Sequence, residues 1–159
     1  MESRIADLQE LEDCNLTVMF FPADPDSYYN RAIVLARLEQ KEKALEDYGR
    51  TIQLKPGYWE AYLNRGILHN EMGNPEMAMD DMQKVMQLNP TDSSAYFVRG
   101  NILYKQKQYD HALIDLSKAI SLSPEDDEAY NLRGIIYAAK NECDKARNDY
   151  DMAITLNSQ

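Results

Sequence analysis

Four arginines and four aspartates recur along the chain at matched spacing: Arg31, Arg65, Arg99 and Arg133, and Asp47, Asp81, Asp115 and Asp149. A guanidinium can fork onto a carboxylate through two parallel N–H···O bonds. Each arginine directly precedes a small residue (Ala32, Gly66, Gly100 or Gly134), where two backbones can approach closely. A charge half buried at such a place is costly unless paired. The partner is the aspartate 16 residues later or the one 18 residues earlier. The stretch "DCNLTVMFFP" (13–22) aligns with "DYGRTIQLKP" (47–56) at Asp13, Thr17 and Pro22. It offers Asp13 to Arg31 and so favours bridges that run back to the preceding unit. On that reading Asp149 has no arginine. The chemistry is that of a scaffold, with arginines that touch no ligand.

Catalytic chemistry finds little support. There is no phosphate-cradling glycine loop, no metal-spaced His/Cys set and no nucleophile elbow in the sequence. No metal and no cofactor is implied. His69 shares a column with Leu35, Leu103 and Tyr137 and reads as a packing residue; His111 sits near a helix start and reads as solvated. Cys14 and Cys143 are far apart and read as reduced thiols. The acidic run "PEDDEAY" (124–130) suits the positive end of a helix dipole better than a calcium loop. The formal net charge of −10 argues against nucleic-acid binding and against docking on anionic membranes. The opening "MESRIADLQELED" lacks the basic-then-apolar pattern of a secretory signal, and no apolar run reaches membrane-spanning length. A soluble cytoplasmic protein is expected.

The spacing of these residues comes from a repeat. "AYLNRG" at 61–66 returns as "AYFVRG" at 95–100 and "AYNLRG" at 129–134, an interval of 34 residues. Pro22, Pro56, Pro90 and Pro124 keep it, as do Ala44, Ala78, Ala112 and Ala146, and Tyr28, Tyr62, Tyr96 and Tyr130. Such a period marks a solenoid, in which each unit buries its apolar face only against its neighbours. Within a unit, "AYFVRGNILYKQ" has no internal proline, and "YDHALIDLSKAISLSP" places apolar residues three or four apart. The short polar stretches "EQKE", "GNPE", "KQYD" and "NECD" separate two helices of about 13 residues, roughly 20 Å each.

At these positions the chain resembles the tetratricopeptide-repeat family. The shared marks are the unit length, an aromatic early in the first helix with a small residue four on, and a second helix with alanine, a large apolar residue, another small residue and a closing proline. The resemblance implies an all-α, right-handed solenoid of antiparallel helix–turn–helix units with about nine helices. Residues 1–24 form an N-terminal segment with an orphan second helix, followed by units at 25–58, 59–92, 93–126 and 127–159. Tyr48, Met82, Leu116 and Tyr150 fill the flanks of the small-residue columns. Thr51 and Val85 stand where alanine is usual, so slightly looser packing is expected there.

The resemblance also implies that inward-facing residues of the first helices bind a peptide or helical segment of a partner. Here those positions hold Tyr29, Asn30 and Ile33; Leu63, Asn64 and Ile67; Phe97, Asn101, Tyr104 and Lys105; and Asn131. Aromatic anchors supply affinity, and asparagines pair with a peptide N–H and C=O together. The isoleucines could instead pack between adjacent first helices. The family's clamp for chaperone tails is not expected: Tyr29, Ile33, Asn64, Ser94 and Val98 occupy its positions, and only Asn64 matches. A non-catalytic interaction module is therefore expected. The alternative is a structural or oligomerisation segment. The column Leu11, Leu45, Met79, Leu113 ends in the polar Arg147, as a capping unit should, yet Tyr150 and Ile154 should remain exposed and could self-associate.

Overall fold

A computed structural model describes residues 2–158, which form nine α-helices and no strand among the described residues. They are α1 (Glu2–Phe20), α2 (Pro25–Arg37), α3 (Lys41–Leu54), α4 (Trp59–Glu71), α5 (Pro75–Leu88), α6 (Ser93–Lys105), α7 (Tyr109–Leu122), α8 (Asp127–Ala139) and α9 (Cys143–Asn157). α1 is a lone helix ahead of four helix pairs. The chain gathers into two compact units, one ending at Lys84 and one beginning at Val85, within α5.

Helix starts and stops follow local chemistry. Asp24, Asp92 and Asp126 cap α2, α6 and α8, each carboxylate accepting a backbone N–H of the first turn. The first helices end in one repeated turn. Gln40 N–H donates to Leu35 C=O (2.9 Å) and Glu39 N–H to Ala36 C=O (3.0 Å), and 73–74, 107–108 and 141–142 repeat the pattern. This is the Schellman geometry, and it puts Glu39, Gly73, Lys107 and Asn141 in the left-handed region at φ 60–78°. Only one of the four is glycine.

In the first unit the core is Ala32, Leu35, Ala44, Tyr48, Ala61 and Leu68, with Leu11, Ile33, Leu45 and Ile52 against it. In the second, Ala95, Ile102, Ala112, Leu116, Ala119, Ala129 and Ile136 are buried. The small-residue column is where paired helices meet. A Cβ on Gly66 would lie 2.9 Å from Asp81 Cβ and against Met82 Cε; on Gly134 it would lie 2.8 Å from Tyr150 Cε1. Thr51 and Val85, which replace the usual alanine, are fully buried, and the Thr51 hydroxyl donates to Asp47 C=O at 3.0 Å. The larger residues there leave no surface open.

The arginine–aspartate pairing corrects the sequence expectation. Every arginine binds the aspartate 16 residues later, in its own helix pair: Arg31–Asp47, Arg65–Asp81, Arg99–Asp115 and Arg133–Asp149. Nε and Nη2 both donate to the carboxylate, at 2.6–2.9 Å. Asp149 is paired, and Asp13 is not the partner of Arg31. The reason is the close approach beside the small residue, which leaves the aspartate of the paired helix directly opposite the arginine. The backward reach exists, but through the third nitrogen and to residues 16 earlier. Arg31 Nη1 donates to Asn15 Oδ1 and Arg133 Nη1 to Ser117 Oγ, both at 3.2 Å. Tyr28, Tyr62 and Tyr130 stack under their arginines, with centroids 5.6–5.7 Å from the guanidinium carbon. The bond to each aspartate raises the arginine's pKa further.

Candidate functional site

In the first unit, α2 and α4 lie side by side, and a cavity of 390 Å³ opens between them. Ile33, Ala36, Ile67 and Leu68 supply apolar walls, and Tyr48 reaches in from α3. Asn64 supplies an amide, while Arg37, Glu39 and Glu71 carry charge around it. These charges are already partly neutralised. Arg37 pairs with Asp7 (3.1 Å) and Glu10, and Lys41 bridges Glu71 (3.0 Å) and Glu39 (3.4 Å). The site thus offers an apolar hollow with one amide and an ion-paired rim in which carboxylates outnumber cations. It suits an aliphatic side chain whose backbone lies against Asn64.

An aromatic group stands beside the hollow. The Tyr29 and Tyr58 rings stack at 4.8 Å, and Tyr29 tilts against Tyr48 at 6.0 Å. Asn64 Nδ2 donates to the Tyr29 hydroxyl at 3.0 Å, and the Tyr58 hydroxyl donates to Asp26 Oδ1 at 2.7 Å. Burial pushes the Tyr29 phenol pKa up, with help from the Glu60 charge. Burial and the bond to Asp26 push Tyr58 up as well. Both phenols are therefore held neutral, Tyr29 accepting from Asn64 and Tyr58 donating to Asp26. The Asn64 amide nitrogen serves Tyr29 and also faces the Tyr48 hydroxyl, so the group Asn64 keeps for a ligand is its carbonyl.

The sequence-derived positions fare differently. Tyr29, Ile33, Asn64 and Ile67 come together in this unit, with Leu63 half-buried on the same helix as Asn64 and Asn30 exposed. Ile33 also packs on the core, as an isoleucine between adjacent first helices would. In the second unit, Phe97 and Tyr104 on α6 are half-buried, and Lys105 is exposed. Tyr104 faces Tyr109 at 6.2 Å. Asn101 Oδ1 is buried without a hydrogen-bond partner, so a ligand would reach it only after local movement. Asn131 is exposed and lines a separate 330 Å³ hollow with Asp127, Ala153 and Ile154.

Sequence reasoning missed Tyr58, Ala36, Glu39 and the Tyr48 contribution to the hollow. Tyr58 left a signal: it stands in the column of the capping aspartates Asp24, Asp92 and Asp126, and α4 has no side-chain cap. The residue gives up a cap and stacks on Tyr29 instead.

Models of the tetratricopeptide repeat match residues 25–58 and 42–102, and a model described as a TPR repeat matches 100–141. The chain belongs to the tetratricopeptide-repeat family. Solved structures show the same fold, an all-α repeat solenoid. MamA from Desulfovibrio magneticus RS-1 (residues 41 to the end) superposes with a TM-score of 0.86 at 20% identity, over 96% of this chain and 86% of that one. A further MamA crystal structure gives 0.84 at 20% identity, over 93% and 86%. YrrB, described as a TPR protein with an unusual peptide-binding site, gives 0.77 at 21% identity, over 98% and 82%. A search of curated proteins finds no match. No helix among the described residues is long and apolar enough to cross a membrane.

Proposed function

We propose that this chain is a non-catalytic interaction module, and that the hollow between α2 and α4 receives an apolar side chain of a partner's peptide or helical segment. The observation that carries this is the juxtaposition of an apolar hollow with Asn64, whose carbonyl suits a peptide N–H. Family membership and the peptide-binding description of YrrB support the reading. The test is affinity capture on the full chain, followed by titration of the captured protein's own segment. Ile67→Glu and Asn64→Ala should each weaken binding by about tenfold or more while leaving the helical circular dichroism intact. Binding that survives Ile67→Glu would refute the site.

A second reading rests on α9. Ile154 is 65% exposed and Met152 41%, beside the hollow that holds Asn131. If this face joins copies of the chain, sedimentation should show a dimer that Ile154→Glu dissociates. A monomer at high concentration would exclude it.

A further inference from the structure

The repeat supplies its own control for the outer surface of α1. Leu8, Leu16, Met19 and Phe21 fall in columns that the other four second helices fill almost wholly with polar residues. Opposite Leu8 stand Glu42, Glu76, Asp110 and Asp144; opposite Leu16 stand Arg50, Lys84, Lys118 and Met152. Opposite Met19 stand Gln53, Gln87, Ser121 and Thr155, and opposite Phe21 stand Lys55, Asn89, Ser123 and Asn157. Only Met152 breaks the contrast. In α1 these residues are open to solvent: Leu8 48%, Leu16 52%, Met19 64% and Phe21 61%, with Ile5 61% and Phe20 67% beside them. Ile5, Leu8, Leu16 and Met19 lie on one side of the helix, with Glu12 among them, over about 21 Å. The side facing α2 is a different one, carrying Leu11, Cys14 and Val18, which are half-buried. α1 is therefore apolar on two sides, and only one is covered. A stripe of this size on an outer face marks an interaction surface.

Charge selects the occupant. Among residues 4–20, α1 carries Asp7, Glu10, Glu12 and Asp13 against a single Arg4. Asp7 and Glu10 are engaged by Arg37. Glu12 is exposed in the middle of the stripe and Asp13 is exposed on its flank at the same level. A second copy fits poorly: a parallel pair and an antiparallel pair centred on the stripe both set Glu12 against Glu12. A lipid surface fits poorly too, since interfacial helices carry Lys and Arg beside their apolar face. We infer that the outer face of α1 docks an amphipathic helix of a partner protein about four turns long, with basic residues at its middle opposite Glu12 and Asp13. Apolar contact supplies the affinity, and the charge sets register and partner choice. This surface is independent of the hollow between α2 and α4.

The test uses the full chain and three helical 18-residue peptides of identical apolar pattern, whose central flanking residues are Lys, Gln or Glu. Fluorescence anisotropy should rank binding Lys, then Gln, then Glu. Leu16→Glu should weaken the lysine peptide by about tenfold or more. Glu12→Gln should flatten the ranking, and Ile67→Glu should change nothing. Leu16 is exposed, so its variant should keep its fold; Met19→Glu provides the same reading if its thermal midpoint falls. Failure of all three peptides to bind, or equal binding of the lysine and glutamate peptides, would overturn the inference. So would a dimer in sedimentation that Leu16→Glu dissociates, or α1-dependent binding to phosphatidylcholine vesicles with or without phosphatidylserine.

Discussion

The pair α2/α3 and the pair α8/α9 are written with the same columns but live in different surroundings. Tyr48 on α3 is 2% exposed, held among Ala32, Ala61 and Leu68, because α4 packs over it. Tyr150 on α9 lies over Gly134 in the same way, but it is only half-buried, and Ile154 one turn on is open. The Arg–Asp fork is the same in both pairs, with Asp47 and Asp149 each buried. What a residue contributes in a repeat is thus set in two ways. Contacts inside a helix pair recur from unit to unit, while cover from a neighbouring pair differs: α4 covers Tyr48, and no described helix covers Tyr150 in the same way.

The largest expected effect breaks this comparison at its aromatic. Tyr48→Ala should cost about 4 kcal/mol in urea unfolding and Tyr150→Ala about 2 kcal/mol, because a half-buried ring leaves a smaller cavity. Equal costs would mean that the terminal pair is covered in solution. The fork should behave the other way. Arg65→Ala and Arg133→Ala should each cost about 3 kcal/mol, since either strands a buried aspartate. A negligible loss at Arg133 alone would show that the terminal pair opens to water.

His69 distinguishes the first unit by pH. It is 5% exposed, Nδ1 has no hydrogen-bond partner, and burial lowers its pKa, with Arg65 adding to the shift and Asp81 opposing it. The folded state therefore binds this proton less readily than the unfolded chain does. Stability should be full above the ordinary histidine range and should decline as pH falls from about 6.5 through the lowered value. His69→Leu, which copies Leu35 and Leu103, should remove that decline in thermal melts from pH 7 to 5. A melt series that His69→Leu leaves unchanged would refute this. The smallest effect is the most local. Glu39→Gly and Lys107→Gly relieve a left-handed backbone and should each stabilise by about 0.5–1 kcal/mol, to the same extent in both units, by differential scanning calorimetry.

Much of the fold was legible because a period forces it. Prolines, tyrosines and alanines at one interval place the helices: the observed ends at Arg37, Glu71 and Lys105 fall at the polar stretches, and the end at Leu54 falls just before Pro56. The orphan helix was readable from Asp13, Thr17 and Pro22, although the same alignment misled the pairing of Arg31. Column arithmetic shows which residues recur but not which of two neighbouring carboxylates a guanidinium reaches. The hollow was half legible: Ile33, Asn64 and Ile67 are stripe positions, whereas Tyr48 reaches it from α3 and Tyr58 stands beside it, stacked from the cap of α4 onto Tyr29 of α2.

By itself, then, the sequence determined about nine helical segments in a 34-residue repeat, and the presence of a carboxylate for each arginine of the repeated column. Those depend on neighbours within about 34 residues, which periodicity encodes directly. Only the tertiary structure decided that each fork closes inside its own helix pair, that Tyr29 is held by Tyr58 and Asn64, and that a second face of α1 stands uncovered. Those outcomes turn on where side chains end in space and on which apolar surfaces find a cover, and burial is a property of the packed molecule rather than of any one column.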